Sequence, residues 1–74
     1  MVTVIHNGYD IKYLRNMDEV QSYIESVLEP HKHLEPKLIF DRTFKGNKYT
    51  DGSQIRIMRY KYRTLYEEDF IIEF

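Results

Sequence analysis

The chain has 74 residues, including seven tyrosines and no cysteine, and its 11 lysines and arginines against 12 acids leave a net charge of −1. This length predicts one domain, residues 1–74, near the lower size limit for folding on an apolar core alone, and the lack of cysteine excludes disulfides and thiolate metal sites. The net charge disfavours a chain selected only for nucleic-acid binding, because such chains are usually basic overall.

The distribution of charge is uneven along the chain. Residues 42–63 carry seven cations against one acid, whereas residues 64–74 carry four acids and no cation. No stretch approaches the roughly 20 apolar residues of a membrane span, and the N-terminus lacks the layout of a signal peptide. We therefore expect a soluble, cytoplasmic protein with a basic strip in an acidic body.

The first predicted element is a β-hairpin. Alternating apolar residues flank Asn7-Gly8, the dipeptide that tolerates the positive φ angles of a type I′ turn. A helix from about Met17 to Glu29 follows, with Asn16 as its N-cap and Pro30 as its stop, and the segment also fits a capping box.

The predicted helix has one apolar face and one acidic face. The apolar stripe consists of Val20, Tyr23, Ile24, Val27 and Leu28. On the opposite side of the helix lie Asp18, Ser22, Glu25 and Glu29, within an arc of roughly 60° around the helix axis. We expect the stripe to pack on a sheet. The acids Asp18, Glu25 and Glu29 form a secondary candidate surface for a basic partner. The simpler interpretation is that they belong to an ordinary solvated helix face.

Three strands are predicted after the helix. In residues 37–45 we expect Leu38, Phe40 and Phe44 to share one face. Turn dipeptides lie on either side of residues 48–50, so that stretch is either a short strand or part of a loop. Residues 53–66 form the longest candidate strand, and residues 67–74 supply a turn and a last strand. The predicted fold is α+β: one amphipathic helix packed on an antiparallel sheet, in the order ββαβββ, with one extra short strand as an alternative.

Neither face of the long strand is apolar along its whole length. Ile55 and Ile57 share one face with three cations, while Met58 shares the other with two tyrosines. We expect Ile55 and Ile57 to enter the core, and the strand to bulge or leave the helix near Met58 and Arg59. Beyond that point both faces would be partly exposed.

This strand supplies the candidate partner-binding surface. Its members are Arg56, Arg59, Tyr60, Lys61, Tyr62 and Arg63, with Lys48 and Tyr49 as adjuncts. Tyrosine and arginine are frequent hot spots of protein interfaces, which need no net positive charge. The same residues would also suit single-stranded nucleic acid, with rings stacked on bases and cations on phosphates. The third interpretation is cross-strand pairing of the cations with acids of the next strand, Glu67, Glu68, Asp69 and Glu73.

No segment carries a specific catalytic, metal or nucleotide motif, and the three glycines all lie in turn signals. His31 and His33 lie in a connector and are predicted to be solvated rather than metal ligands. His6 is predicted to be a strand-end residue. We expect no enzymatic activity, no metal and no cofactor; a small metal-free ribonuclease site built from Tyr, Arg, Lys and Glu is the enzymatic alternative.

In style, this short, tyrosine-rich and cysteine-free chain resembles the small early proteins of bacteriophages and mobile elements. Many of those proteins inhibit a host nuclease or defence complex by direct binding, but the resemblance covers no motif and transfers no residues. We therefore expect a non-enzymatic protein-binding module that blocks a host or defence protein by steric occlusion, with a homodimer as a further expectation. The alternative is a single-stranded nucleic-acid-binding protein that uses strand 56–63.

Overall fold

The structure is a computed structural model that describes residues 1–45 and 54–74. Its elements, in chain order, are β1 (Val2–His6), β2 (Asp10–Leu14), α1 (Met17–Leu28), a 3₁₀ helix (Glu29–Leu34), β3 (Lys37–Lys45), β4 (Gln54–Lys61) and β5 (Glu67–Glu73). The predicted α+β fold and the order ββαβββ are confirmed. The alternative of a strand at residues 48–50 lies outside the described residues. In the described part of the chain, no helix is long and apolar enough to cross a membrane.

The five strands form one antiparallel sheet in the order β2-β1-β5-β4-β3. The last strand therefore lies in the middle, between the N-terminal hairpin and the β3–β4 pair. Thr3 pairs with Glu73 on one side of β5, and Ile55 pairs with Glu73 on the other. The two ends of the sequence are thus neighbours in the sheet.

The hairpin and the helix begin where the local sequence predicts. Asn7 and Gly8 both have positive φ angles, 52° and 80°, as a type I′ turn requires. The Asn16 side chain accepts a hydrogen bond of 3.0 Å from the backbone N–H of Glu19. The Glu19 carboxylate accepts from the backbone N–H of Arg15 rather than from that of Asn16, so the capping box is displaced by one residue.

The core lies between α1 and one side of the sheet, which we call the helix face. Its buried members are Val2, Val4, Val20, Ile24, Met58, Phe70 and Ile72. The strand residues of this set face the same way because Val4 pairs with Ile72 and Met58 pairs with Phe70. The apolar stripe of the helix contributes Val20 and Ile24, as the periodicity predicts.

The expectation that Ile55 and Ile57 enter the core is wrong. Met58 pairs with Phe70, which places Met58, and with it Tyr60, on the helix face. Successive side chains of a strand point to opposite sides, so Ile55 and Ile57 lie on the other side of the sheet. The pairing of β4 with β5, a long-range contact, decides this orientation.

The predicted irregularity occurs in β3 rather than in β4. The register shifts between Leu38 and Phe40, so Ile39 is an extra residue opposite Tyr60 and Arg59. The shift separates residues that we expected on one face. Leu38 stands opposite Tyr60 on the helix face, whereas Phe40, like Phe44, lies on the other side of the sheet.

The orientation of β4 can be tested with the same substitution at two consecutive positions. Met58→Thr should lower the free energy of unfolding by at least about 2 kcal/mol, because it opens a cavity and buries a hydroxyl in the core. Ile57→Thr should cost no more than about 1 kcal/mol, because threonine suits an open strand surface. Urea denaturation of both variants measures the difference, and a larger loss at position 57 would contradict the assigned orientation.

Candidate functional site

The two tyrosines at the centre of the predicted binding surface are packed inside the molecule. Tyr62 is only 4% exposed, and its ring lies 5.4 Å from that of His31. Tyr60 is half-buried and meets the ring of Phe70 edge-on at 6.0 Å. Burial raises the pKa of both phenols, that of Tyr62 to about 12. Neither ring projects freely from the sheet, as stacking on a base or insertion into a partner's pocket would require.

The three arginines of the predicted surface contact acids of the same chain. Arg56 donates two hydrogen bonds, of 2.8 and 2.7 Å, to the carboxylate of Asp41. Arg59 donates to Asp69 at 2.6 Å, and Glu67 lies 3.9 Å away. Arg63 and Glu35 are 3.4 Å apart. Arg59 is therefore paired with an acid of the next strand, as the cross-strand interpretation predicts, whereas Arg56 and Arg63 pair with acids elsewhere in the chain.

The remaining members of the predicted surface differ from one another in position. Lys61 is exposed and stands directly opposite Lys37 on β3 and Glu67 on β5. Lys48 and Tyr49 lie outside the described residues. Like charges on directly opposed residues destabilise a strand pair, and Glu67 offsets this on one side of Lys61, so Lys37 is the member of the pair at which a carboxylate from outside would be most favourable.

The side of the sheet opposite α1, which we call the open face, carries a continuous apolar band. Ile11, Ile5, Ile71 and Ile57 are successive cross-strand partners on β2, β1, β5 and β4. These four side chains form a row across the sheet, the isoleucine row. No helix or strand of the described residues packs over it; Ile11 is exposed, whereas Ile5, Ile71 and Ile57 are half-buried among their neighbours in the sheet. Such a contiguous apolar surface on a small protein is typical of an interaction site.

Aromatic side chains stand at the edges of the open face. Tyr13 on β2 is 67% exposed and Phe44 on β3 is 40% exposed, while Ile11 in the isoleucine row is 51% exposed. The Arg42 guanidinium lies 5.5 Å from the centre of the Phe44 ring. The Arg59 guanidinium lies 5.8 Å from the centre of the Phe40 ring. The open face thus combines aliphatic, aromatic and arginine side chains, the composition of a protein interface.

The isoleucine row is not among the features predicted above, although the sequence contains a signal for it. Ile5 follows the core residue Val4 directly, and Ile71 lies between the core residues Phe70 and Ile72. Consecutive apolar residues in a strand place apolar side chains on both sides of the sheet. Of the predicted surface, Arg59 and Lys61 do lie on the open face, whereas Arg56, Tyr60 and Tyr62 lie on the helix face.

The acids of the secondary candidate surface, Asp18, Glu25 and Glu29, are exposed on the helix. Glu25 accepts a weak hydrogen bond of 3.4 Å from Gln21. Within residues 1–45 and 54–74, no three His, Asp or Glu side chains are grouped so that they could hold a metal ion. The contacts of the described residues therefore do not point to a ligand for this surface.

Comparisons of the chain with protein-family models, with curated proteins and with solved structures find no match.

The ion pair of Asp41 and Arg56 should make a pH-dependent contribution to stability. Hydrogen bonding to Arg56 holds the pKa of Asp41 below its ordinary value of 3.8. The contribution is therefore fully present above that value and is lost as the pH falls through the lowered pKa. Since both side chains are about one-third exposed, we expect a coupling of about 1 kcal/mol or less at pH 7.

A double-mutant cycle of Asp41→Asn and Arg56→Gln, measured by urea denaturation at several pH values, isolates this coupling. A second cycle that combines Asp41→Asn with Arg63→Gln is the control and should show no coupling at any pH, since Arg63 pairs with Glu35 instead. A coupling between Asp41 and Arg56 that is independent of pH would contradict the assignment.

Proposed function

We propose that the protein is a non-enzymatic protein-binding module that binds its partner through the open face of the sheet. The observation that carries the proposal is the isoleucine row, which runs across four adjacent strands with no described layer above it. A chain of this size needs to bury as much apolar surface as it can. A partner that covers the isoleucine row supplies the burial that the fold itself does not.

Charge indicates the chemistry of the partner. At the β3–β4 side of the open face, Lys37 and Lys61 stand opposite each other, four residues along β4 from Ile57, and Lys61 also faces Glu67 on β5. Arg42 is a third exposed cation on the same face. A partner with an apolar centre and carboxylates towards this side is complementary to the open face, and its acids would relieve the repulsion between the lysines.

A second copy of the chain fits the open face less well. The central strand β5 presents three acids on this side: Glu67, Asp69 and Glu73. In a face-to-face dimer with its twofold axis along β5, these acids would stack on their own copies. Arg59 lies against Asp69 and Glu67 and offsets part of that repulsion, so Glu73 contributes most of it, and a different protein is the partner that we propose.

Strand 56–63 is poorly suited to the nucleic-acid contacts predicted for it. Stacking on single strands requires accessible aromatic rings, and Tyr62 is buried while Tyr60 is packed against Phe70. Phosphate binding by this strand would depend on Lys61, because the guanidinium groups of Arg56 and Arg59 already donate to carboxylates. The single-stranded nucleic-acid binder remains the alternative.

The mechanism we propose is steric occlusion. A paired β-sheet is rigid, so the open face loses little conformational entropy when it binds, and it can cover a functional surface of the partner. The resemblance in style suggests a more specific form of this proposal. The protein would be encoded by a phage or mobile element and would inhibit a host nuclease or defence complex in the host cytoplasm. This specific form rests on that resemblance alone.

Site-specific photo-crosslinking tests the proposal. A photoreactive residue at position 11, in the isoleucine row, should give an adduct with a discrete protein in extracts of the source cells. The same residue at position 25, on the exposed side of α1, is the control and should not. The affinity for the purified partner should fall at least about tenfold in Ile11→Lys and in Lys61→Glu, and remain unchanged in Glu25→Lys.

Three outcomes would overturn the proposal. Binding that is insensitive to both open-face variants would place the interface elsewhere. Adducts between copies of the chain alone would identify the open face as a homodimer interface. Micromolar binding of single-stranded RNA or DNA oligomers, with an affinity that falls steeply as salt increases, would favour the nucleic-acid alternative.

A further inference from the structure

On the helix face, far from the isoleucine row, the protein contains a cavity of about 400 Å³. It is lined by His31, Leu34, Tyr62, Thr64, Tyr66 and Glu68. These residues come from the 3₁₀ helix, from the loop that joins β4 to β5, and from β5 itself. The volume is within the range of small-molecule sites.

The carboxylate of Glu68 is held in a fixed position at this cavity. One oxygen, Oε2, contacts Nε2 of His6 and accepts a hydrogen bond of 2.8 Å from the side-chain amide of Asn7. The other oxygen, Oε1, lies 3.5 Å from the hydroxyl of Tyr62, at the long limit of a hydrogen bond. Because the Glu68 side chain is only 12% exposed, Oε1 is a partly desolvated acceptor with capacity to spare.

His6 contacts Glu68 through Nε2 and faces two further polar groups through Nδ1. The hydroxyl of Tyr23 lies 3.4 Å from Nδ1, and the carboxylate of Asp10 lies 3.9 Å from it. Glu68 forms no ion pair with a described lysine or arginine; the nearby Arg63 pairs with Glu35 instead. A cationic ligand at Oε1 would therefore compete with no described lysine or arginine, since His6 contacts the other oxygen, Oε2.

Aromatic rings complete the site. Tyr62 and His31 meet at 63° with their centres 5.4 Å apart, and Tyr66 lines the same cavity with 75% of its surface exposed. Since burial and the neighbouring carboxylate raise the pKa of Tyr62 to about 12, its ring is a neutral phenol at physiological pH. Several aromatic rings around one carboxylate are a recognised arrangement for binding organic cations.

We propose that this cavity binds an organic cation, a guanidinium or primary ammonium group. Its N–H groups donate to Oε1 of Glu68, and its apolar part contacts the rings of Tyr62 and Tyr66. The cation belongs either to a free small molecule or to an arginine or lysine side chain of a peptide. This site is independent of the proposed function, because it lies on the opposite side of the sheet from the open face.

Titration of the ¹⁵N-labelled protein with methylguanidinium, followed by amide chemical shifts, tests the inference. We expect saturable shifts centred on Glu68, Tyr66 and His31, and no saturable shifts with methylurea, the uncharged analogue of similar shape. Arginine with blocked termini distinguishes the two sources: tighter binding than that of methylguanidinium assigns the site to a peptide side chain, and equal binding assigns it to a free cation.

Two variants and a control complete the test. Glu68→Gln should weaken methylguanidinium binding at least about tenfold, since it removes the charge. Tyr66→Ala should weaken binding about threefold to tenfold, and it is expected to fold because Tyr66 is largely exposed. Glu35→Gln, an acid outside the cavity, should have no effect. Equal affinity for methylurea, unaltered binding in Tyr66→Ala, or no saturable shifts would overturn the inference.

Discussion

The structure depends on the insertion of the last strand, β5, between β1 and β4. The N-terminal hairpin and the β3–β4 pair are each too small to be stable alone, and β5 joins them into one sheet. Its successive side chains point to opposite sides of the sheet, so the strand contributes to both the helix face and the open face. Phe70 and Ile72 are fully buried beneath α1, whereas Ile71 is at the centre of the isoleucine row. Both proposed binding regions require this strand in its observed register.

The acids of β5 show how one strand sets the charge of both faces. On the open face Asp69 accepts from Arg59, and on the helix face Glu68 contacts His6 and Asn7. A shift of one residue would exchange these acids between the faces and bury charge under the helix. The arginines of the basic segment of β4 therefore form ion pairs within the chain, Arg59 with Asp69 on β5 and Arg56 with Asp41 on β3. This is the reason why we assign binding to the isoleucine row rather than to the arginines.

The parts of the fold that depend on local chemistry could be predicted from the sequence. Asn7-Gly8 specifies a turn whatever surrounds it, and Asn16 caps the helix with its own side chain. Long-range pairing could not be predicted in this way. The position of β5 in the sheet and the orientation of β4 follow from contacts between residues far apart in the chain. The extra residue Ile39 separates Leu38 from Phe40, although their spacing predicts a common face.

For the same reason only part of the candidate site could be predicted. Arg59 and Lys61 do lie on the open face, but the burial of Tyr62 arises from the 3₁₀ helix, which places His31 against its ring. The isoleucine row is assembled from four strands, and no single segment reveals it. The cavity at Glu68 likewise combines residues of the 3₁₀ helix with residues more than 25 positions further along the chain. The sequence signal for both regions is weak, because each strand contributes only one or two residues.

The most direct test of the central claim, an uncovered open face, is paramagnetic broadening of isoleucine δ1 methyl signals by a soluble gadolinium chelate. We predict that in the free protein the methyl of Ile11 broadens most and that those of Ile57 and Ile71 broaden clearly more than those of Ile24 and Ile72, which lie beneath the helix. Protection of Ile57 and Ile71 to the same degree as Ile24 would contradict this prediction. That result would mean either that the open face is covered in solution or that the two sides of the sheet are assigned wrongly.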